Sequence, residues 1–268
     1  MGKPEYDKRS YRNTVSRIAG RVANFSRPAF FVRFYSKLYA KFYSININEF
    51  EIPKGGFKTF NSFFTRKVKP EFRKIESGII SPVDGLIYDN GVIDKDRHIY
   101  VKHKFFSVKE LLKREYSKLE SFVVFYLSPS HYHRVHAPFD MKITNISYIP
   151  GNLRSVRESI ILKTEELYCK NERIVLYGDS EYGKFAFIFV GALVVGKIKL
   201  SFEEKTASNR RKACCNNITY DAPHLINKGE ELGFFEMGSS VIILSENKMY
   251  EKLKFIASTD LKFGQNFV

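Results

Sequence analysis

Ser121-Phe-Val-Val-Phe-Tyr-Leu127 runs directly into Ser128-Pro-Ser-His131-Tyr-His133-Arg-Val-His136-Ala-Pro138, and the reading of the chain turns on these residues. The first seven carry no charge and are rich in Val and Phe, the composition of a buried strand. The stretch after it holds half of the six histidines in the chain. Histidine changes charge near neutral pH, so such a cluster suits proton transfer or metal binding.

Further strands lie on both sides. Met141–Ile149 alternates, with Met141, Ile143, Asn145 and Ser147 on one side and Ile146 and Tyr148 on the other. Arg173–Tyr177 and Lys184–Val190 are strands joined by the turn-like 178–183 segment, and Leu193–Phe202 and Ser239–Ser245 are two more. Upstream, Gly78–Tyr88 is apolar but broken by Pro82 and Gly85, and Ser107-Val-Lys-Glu110 reads as a capping box opening a short helix to about Tyr116. The predicted fold class is α+β: a β-rich catalytic body over residues 76–268, preceded by N-terminal amphipathic helices within residues 1–75. No period of 20–50 residues repeats, which argues against solenoids and propellers.

With 268 residues, 44% hydrophobic and 15% aromatic, the chain is of globular type and too rich in rings to be disordered. The longest uncharged apolar run, Phe185–Gly196, spans twelve residues, against the roughly 20 that a spanning helix needs. The N-terminus is charged and carries no secretory signal pattern. Three cysteines, two of them adjacent, supply no disulfide framework and no zinc spacing. A location in the cytosol or on a cytosol-facing surface is expected.

The net charge is +15, and residues 1–74 alone hold 17 basic and 5 acidic residues, a net +12. Val15, Ile18, Ala19 and Val22 share one helix face. A second helix starting near Pro28 has an apolar side of Phe31, Phe34, Tyr35, Leu38 and Phe42, with Arg33, Lys37 and Lys41 on another side. A third, short helix fits Phe60, Phe63 and Phe64. Basic amphipathic helices with aromatic faces suit an anionic membrane interface, although a packed helix with a solvated basic face reads similarly. Binding to a nucleic-acid backbone fits the charge too, but no RNP, zinc-finger or helix-turn-helix signature accompanies it.

Three stretches carry candidate chemistry: Ser81-Pro-Val-Asp84-Gly85, the histidine block, and Leu232-Gly-Phe-Phe-Glu-Met-Gly238-Ser239-Ser240. Each alone reads as a loop or a turn. Together, in the order Asp, His, Ser, they supply an orienter, a base and a nucleophile. The last stretch does not match the GxSxG elbow of serine hydrolases. A nucleophile whose nearest carbonyl belongs to its own preceding glycine can cut its own chain.

At this point the sequence resembles the phosphatidylserine decarboxylases of the prokaryotic type. The resemblance rests on SPVDG at 81–85, LSPSHYHRVHAP at 127–138, VGALVVGKI at 190–198, KGEELGFFEMGSS at 228–240 and FNSFFTRKVKP at 60–70. It implies a self-maturing enzyme in which Asp84, His136 and Ser239 form a cleavage triad. His136 would take the Ser239 proton, and Ser239 would attack the Gly238 carbonyl. Elimination and loss of ammonia would then leave a covalent pyruvoyl group derived from Ser239, on which the substrate amine condenses, with neither PLP nor metal. A β chain of residues 1–238 and an α chain of residues 239–268 would stay together as a heterodimer, with room for a higher oligomer. His133 is the implied residue for decarboxylation and protonation. The implied reaction turns phosphatidylserine into phosphatidylethanolamine and CO2 in phospholipid biosynthesis, at the cytoplasmic side of the cell membrane as a peripheral enzyme, with no nucleic-acid partner.

The sequence departs from the family pattern at His131, where an acid is frequent, and at Ser240, where Thr is frequent. His131 reads as a solvated loop residue or a modulator of its neighbours; Ser240 is a rival nucleophile without a preceding glycine. Three other functions remain open at this level: a pyruvoyl decarboxylase of a soluble amino acid, a basic nucleic-acid-binding β domain, and a metal-dependent hydrolase built on His131, His133 and His136.

Overall fold

The computed structural model describes residues 11–26, 29–116, 118–193, 197–204, 206, 208–209, 214–236, 239–247, 253 and 259–268. Pro28, Gly238 and residues 194–196, all used in the sequence reading, lie outside the described residues.

Three helices come first: α1 (Tyr11–Ala23), α2 (Ala29–Phe42) and α3 (Phe60–Phe64). The body then runs β1 (Gly85–Val92), β2 (His98–Val101), β3 (Lys104–Ser107), α4 (Val108–Leu112), β4 (Ser121–Leu127), β5 (Arg134–His136) and β6 (Met141–Ile149). It continues through α5 (Glu158–Ile161), α6 (Leu167–Lys170), β7 (Arg173–Ser180), β8 (Gly183–Val190), β9 (Ile198–Leu200), β10 (Asn216–Ile226), β11 (Glu231–Phe235), β12 (Ser239–Ser245) and β13 (Asp260–Leu261). The chain is thus β-rich behind N-terminal helices, as the patterning predicts.

Eight strands form one antiparallel sheet in the order β10-β6-β7-β8-β12-β4-β1-β13, and β5-β11-β9 form a second, smaller one. The large sheet is apolar on both faces. One face, with Phe125, Phe187, Val241 and Ile243, packs on Val135, Leu200, Leu232 and Phe235 of the small sheet. The other, with Val124, Ile188, Ile242 and Leu244, packs on Phe106, Leu111, Ile161 and Tyr168 of the hairpin and helices behind it. This double burial explains why the middles of the two strands, 122–125 in β4 and 241–244 in β12, read as unbroken apolar runs.

Strand boundaries differ from the sequence reading where side chains alone mislead. The alternation in β6 changes phase at a register shift between Ile143 and Asn145. Met141, Ile143, Ile146 and Tyr148 therefore all reach the same core, because an extra residue in a strand flips every later side chain. Helix α4 stops at Leu112 rather than near Tyr116, because Lys113 turns left-handed with φ 53. Of the Leu193–Phe202 stretch, the described strand covers Ile198–Leu200.

The N-terminal helices face inward with their small and polar residues. Ser16, Ala23, Val32, Ser36 and Ala40 are buried, whereas Val15, Ile18, Val22, Phe30, Phe31, Phe34, Tyr35, Leu38 and Phe42 are exposed. Helix α1 is fastened by Asn13, which donates to Gly151 O at 2.9 Å and accepts from Leu153 N at 3.2 Å. No helix among the described residues is long and apolar enough to cross a membrane.

Candidate active site

Ser239 is the first residue of β12, a central strand, and pairs with Leu127 at the end of β4. The pleat assigns the two serines to opposite faces. Ser239 shares the side of Val241 and Ile243, toward the small sheet, while Ser240 shares the side of Ile242 and Leu244, toward the helices. The Ser239 hydroxyl is fully buried and makes no hydrogen bond among the described residues. Buried hydroxyls cost free energy unless paired, and that of Ser240 is equally without a partner among the described residues, so what singles out the Ser239 oxygen is the face it takes. That face suits an oxygen kept for chemistry, and so fits an origin for a covalent group at this position.

The histidine stretch passes beside this serine. It leaves β4 directly after Leu127, and its β5 strand pairs with β11. The end of β11 is tied to it, because Phe235 N donates to His133 O at 3.0 Å. Four residues later the chain re-enters the large sheet at Ser239. The two halves of the expected chemistry are therefore joined by strand pairing on both sides.

The rings have defined states. The Nδ1 of His136 lies 2.9 Å from Gly229 O, and a carbonyl only accepts, so Nδ1 carries the proton and Nε2 the lone pair. Tyr132 OH donates to that Nε2 at 3.0 Å. Burial pushes the His136 pKa down to about 4, against a smaller upward pull from the Gly229 carbonyl, so the ring is neutral at physiological pH. His133 is similar. Its Nδ1–H meets His131 O at 2.8 Å, and its Nε2 is buried and unpartnered among the described residues. The ring lies 4.2 Å from Phe64. Burial holds its pKa well below the usual imidazole value. His131 is not a freely solvated loop residue: Ser128 N donates to its Nδ1 at 3.1 Å, and Nε2 is 3.5 Å from Asp260 Oδ1.

Asp84 is buried, but its carboxylate is not on His136. Arg73 holds it with two bonds, Nε to Oδ1 at 3.1 Å and Nη2 to Oδ2 at 2.5 Å, and Phe263 N donates to Oδ1 at 2.8 Å. Arg73 also reaches Glu49 at 2.9 Å. The Phe263 ring stacks on His136 at 3.7 Å, with 15° between planes. Asp84 thus bears on His136 through Phe263. The turn that follows needs Gly264: its φ is +93, and a Cβ there would sit 2.4 Å from Lys74 O.

Of the residues expected to act together, the structure brings Asp84 and His136 onto one phenylalanine, Asp84 at its backbone N–H and His136 at its ring, and sets Ser239 beside the histidine-bearing layer. It makes no hydrogen bond between Asp84 and His136, or between His136 and Ser239, among the described residues. Sequence reasoning missed Arg73, Tyr132 and Phe263. Only Tyr132, inside the quoted histidine stretch, carried a local signal; the other two reach the site from remote segments. Among the described residues no three His, Cys, Asp or Glu side chains are grouped to hold a metal.

A family model described as phosphatidylserine decarboxylase matches residues 60–268. Proteins named phosphatidylserine decarboxylase proenzyme are similar over nearly the whole chain. That of Helicobacter pylori strain J99 is 34% identical over 259 residues, covering 95% of this chain and 96% of its own. That of Campylobacter jejuni is 36% identical over 266 residues, 96% of each chain. That of Myxococcus xanthus is 34% identical over 244 residues, 88% of this chain and 86% of its own.

Proposed function

The chain belongs to the phosphatidylserine decarboxylase family, and on that premise we propose that it cuts itself between Gly238 and Ser239 and then decarboxylates phosphatidylserine to phosphatidylethanolamine. The observation that carries this reading is the Ser239 hydroxyl: buried, without a partner among the described residues, and on the face turned toward the histidine layer. Ser240 faces the other core, so the pleat favours one nucleophile of the two.

In the self-cleavage, His136 is the base. It is neutral, its Nδ1–H is fixed on Gly229 O, and its lone pair is at Nε2, where the Tyr132 hydroxyl now rests. It takes the Ser239 proton when Oγ bonds to the Gly238 carbonyl carbon. The Gly238–Ser239 amide bond breaks to leave an ester on Oγ. Loss of the Ser239 α proton and of the ester oxygen divides the chain, with the carboxylate left on Gly238. Water then replaces the nitrogen, which departs as ammonia, and the ketone remains. Asp84 and Arg73 act as positioning residues by holding Phe263 over the imidazole.

The pyruvoyl group supplies an electron sink for the carbanion left by CO2, as a carbonyl cofactor does elsewhere. The residues here suit that task. The burial that keeps water from Ser239 also keeps it from His133, whose Nε2 lone pair is free to take a proton from the substrate's ammonium group and to return it to the carbon that loses CO2. The products would be a β chain of residues 1–238 and an α chain of residues 239–268, retained as a heterodimer.

Residues 1–75 are read as the membrane-associating segment of a peripheral enzyme on the cytoplasmic face, and residues 76–268 as the catalytic domain. The outward aromatic face of α2 and the exposed Arg33, Lys37 and Lys41 beside it support this reading. Intact-mass analysis tests the chemistry. Wild type should give two chains, the smaller with a ketone-bearing N-terminus. Ser239→Ala should give one, and His133→Ala should mature without decarboxylating. A single unmodified chain in active enzyme would refute the proposal.

A further inference from the structure

Most buried arginines here are answered. Arg73 has Asp84 and Glu49, Arg134 has Glu231, and Arg173 donates to four carbonyls at 2.6–2.8 Å. Arg66 is different. It is 2% exposed, yet no carboxylate among the described residues pairs with it. Its Nη1 reaches Phe63 O and Phe64 O at 3.3 and 3.5 Å, and its Nη2 reaches Ser130 O at 3.4 Å. These are long contacts for a guanidinium, and Nε has no partner among the described residues. The rings of Phe50 and Phe63 lie under it at 4.2 and 5.1 Å.

Its surroundings say what it could receive. Arg66 follows α3, whose Phe63 and Phe64 meet Tyr39 of α2 at 6.0 and 6.3 Å, while Phe64 meets His133 at 4.2 Å. Tyr39 of α2, the α3 phenylalanines with Arg66 over Phe63, and His133 against Phe64 thus form one chain of contacts. A glycerophospholipid has a matching order: acyl glycerol, phosphodiester, amino-acid head.

We propose that Arg66 is the anion anchor of the site and holds the phosphodiester of the lipid head group. This deepens the function proposed above and rests on it for the position of the serine end. The phosphodiester is favoured over the departing carboxylate by the reaction itself. A cation on that carboxylate would stabilise the ground state, whose charge is lost as CO2 forms. The phosphodiester keeps its charge throughout, so holding it does not oppose the chemistry. A forked, poorly hydrated guanidinium suits two phosphate oxygens.

The test is binding to the uncleaved Ser239→Ala chain, which needs neither ketone nor turnover and so stands even if the self-cleavage reading falls. Glycerophosphoserine is titrated by calorimetry, with O-methylserine, which lacks the phosphate, as the comparison ligand. Arg66→Gln and Arg66→Lys in that background should each bind glycerophosphoserine about tenfold or more weakly, the expected effect of losing a charge-assisted fork. Binding of O-methylserine should be unchanged, and in the cleaving enzyme Arg66→Lys should raise KM while leaving kcat near wild type. Melting temperatures of both variants are measured alongside, and if Arg66→Gln unfolds, Arg66→Lys carries the comparison. The proposal is overturned if both ligands weaken equally, if glycerophosphoserine fails to bind the parent chain at millimolar concentration, or if kcat rather than KM changes.

Discussion

The aromatic face of α2 allows the membrane reading to be worked as a number. Phe30, Phe34 and Phe42 are 63%, 59% and 78% exposed. At about 200 Å² for a phenylalanine side chain, the three present roughly 400 Å² to solvent. Full removal of that area from water would be worth about 10 kcal/mol at 25 cal/mol per Å². A helix lying in the interface sinks only part way, and half burial leaves about 5 kcal/mol, or more than a thousandfold in partitioning. Charge adds to this: each Lys or Arg near an anionic surface contributes about 1 kcal/mol, and Arg33, Lys37 and Lys41 stand exposed beside the rings. Replacing the three phenylalanines by serine should leave the fold intact, because none of them is in a core cluster, and should abolish co-sedimentation with vesicles containing anionic lipid. Replacing the three basic residues by glutamine should weaken binding less, and should reduce its salt dependence. Binding of the triple-serine variant within threefold of wild type would refute the assignment of this face to the bilayer.

The remaining predictions concern the site. Because burial holds His136 at about 4, chain scission should keep its neutral-pH rate well below pH 6.5 and fall only toward 4; scission of freshly translated chain followed across pH checks this. The same shift has a stability sign: the unfolded chain takes up the proton near 6.5 and the folded one near 4, so the folded state loses stability as pH falls through that window, which denaturant titration reads. Asp84→Ala should cost about 3–5 kcal/mol by stranding part of the Arg73 charge, whereas Phe263→Leu should keep the ion pair and still slow scission. Wild-type scission in Phe263→Leu would show that the stack does not position the imidazole.

Much of the fold is legible in the sequence, and the reason lies in where its signals originate. The middle of β12, residues 241–244, can be read because a strand buried on both faces is apolar there on consecutive residues. The helical faces of α1 and α2 are equally plain, although periodicity gives only which residues share a side. That the apolar side points outward depends on Ser16, Ser36 and Ala40 packing inward, and only tertiary contact decides that. The site is half legible. His133, His136 and Ser239 stand in unusual local patterns. Arg73 and Phe263 do not, because their roles arise when the C-terminal residues return to pair Leu261 with Gly85. That pairing brings Phe263 between Asp84 and His136, and no local pattern could have foretold it.

The same topology bears on who could cut the chain. Proteases take exposed, flexible loop tips, and a paired interior strand yields to them only after local opening. Ser239 pairs with Leu127 at the start of a strand that matches seven residues of β4 and six of β8, and its side chain has no contact with solvent. An external enzyme would have to open the centre of the large sheet to reach it. A nucleophile already in place needs no such opening. The strand pairing that excludes an outside protease would also hold the 30 residues from Ser239 onward after the bond breaks, because β4 and β8, the two strands that β12 pairs with, lie N-terminal to the cut. Burial, which elsewhere argues for a structural role, argues here for a reaction performed from within.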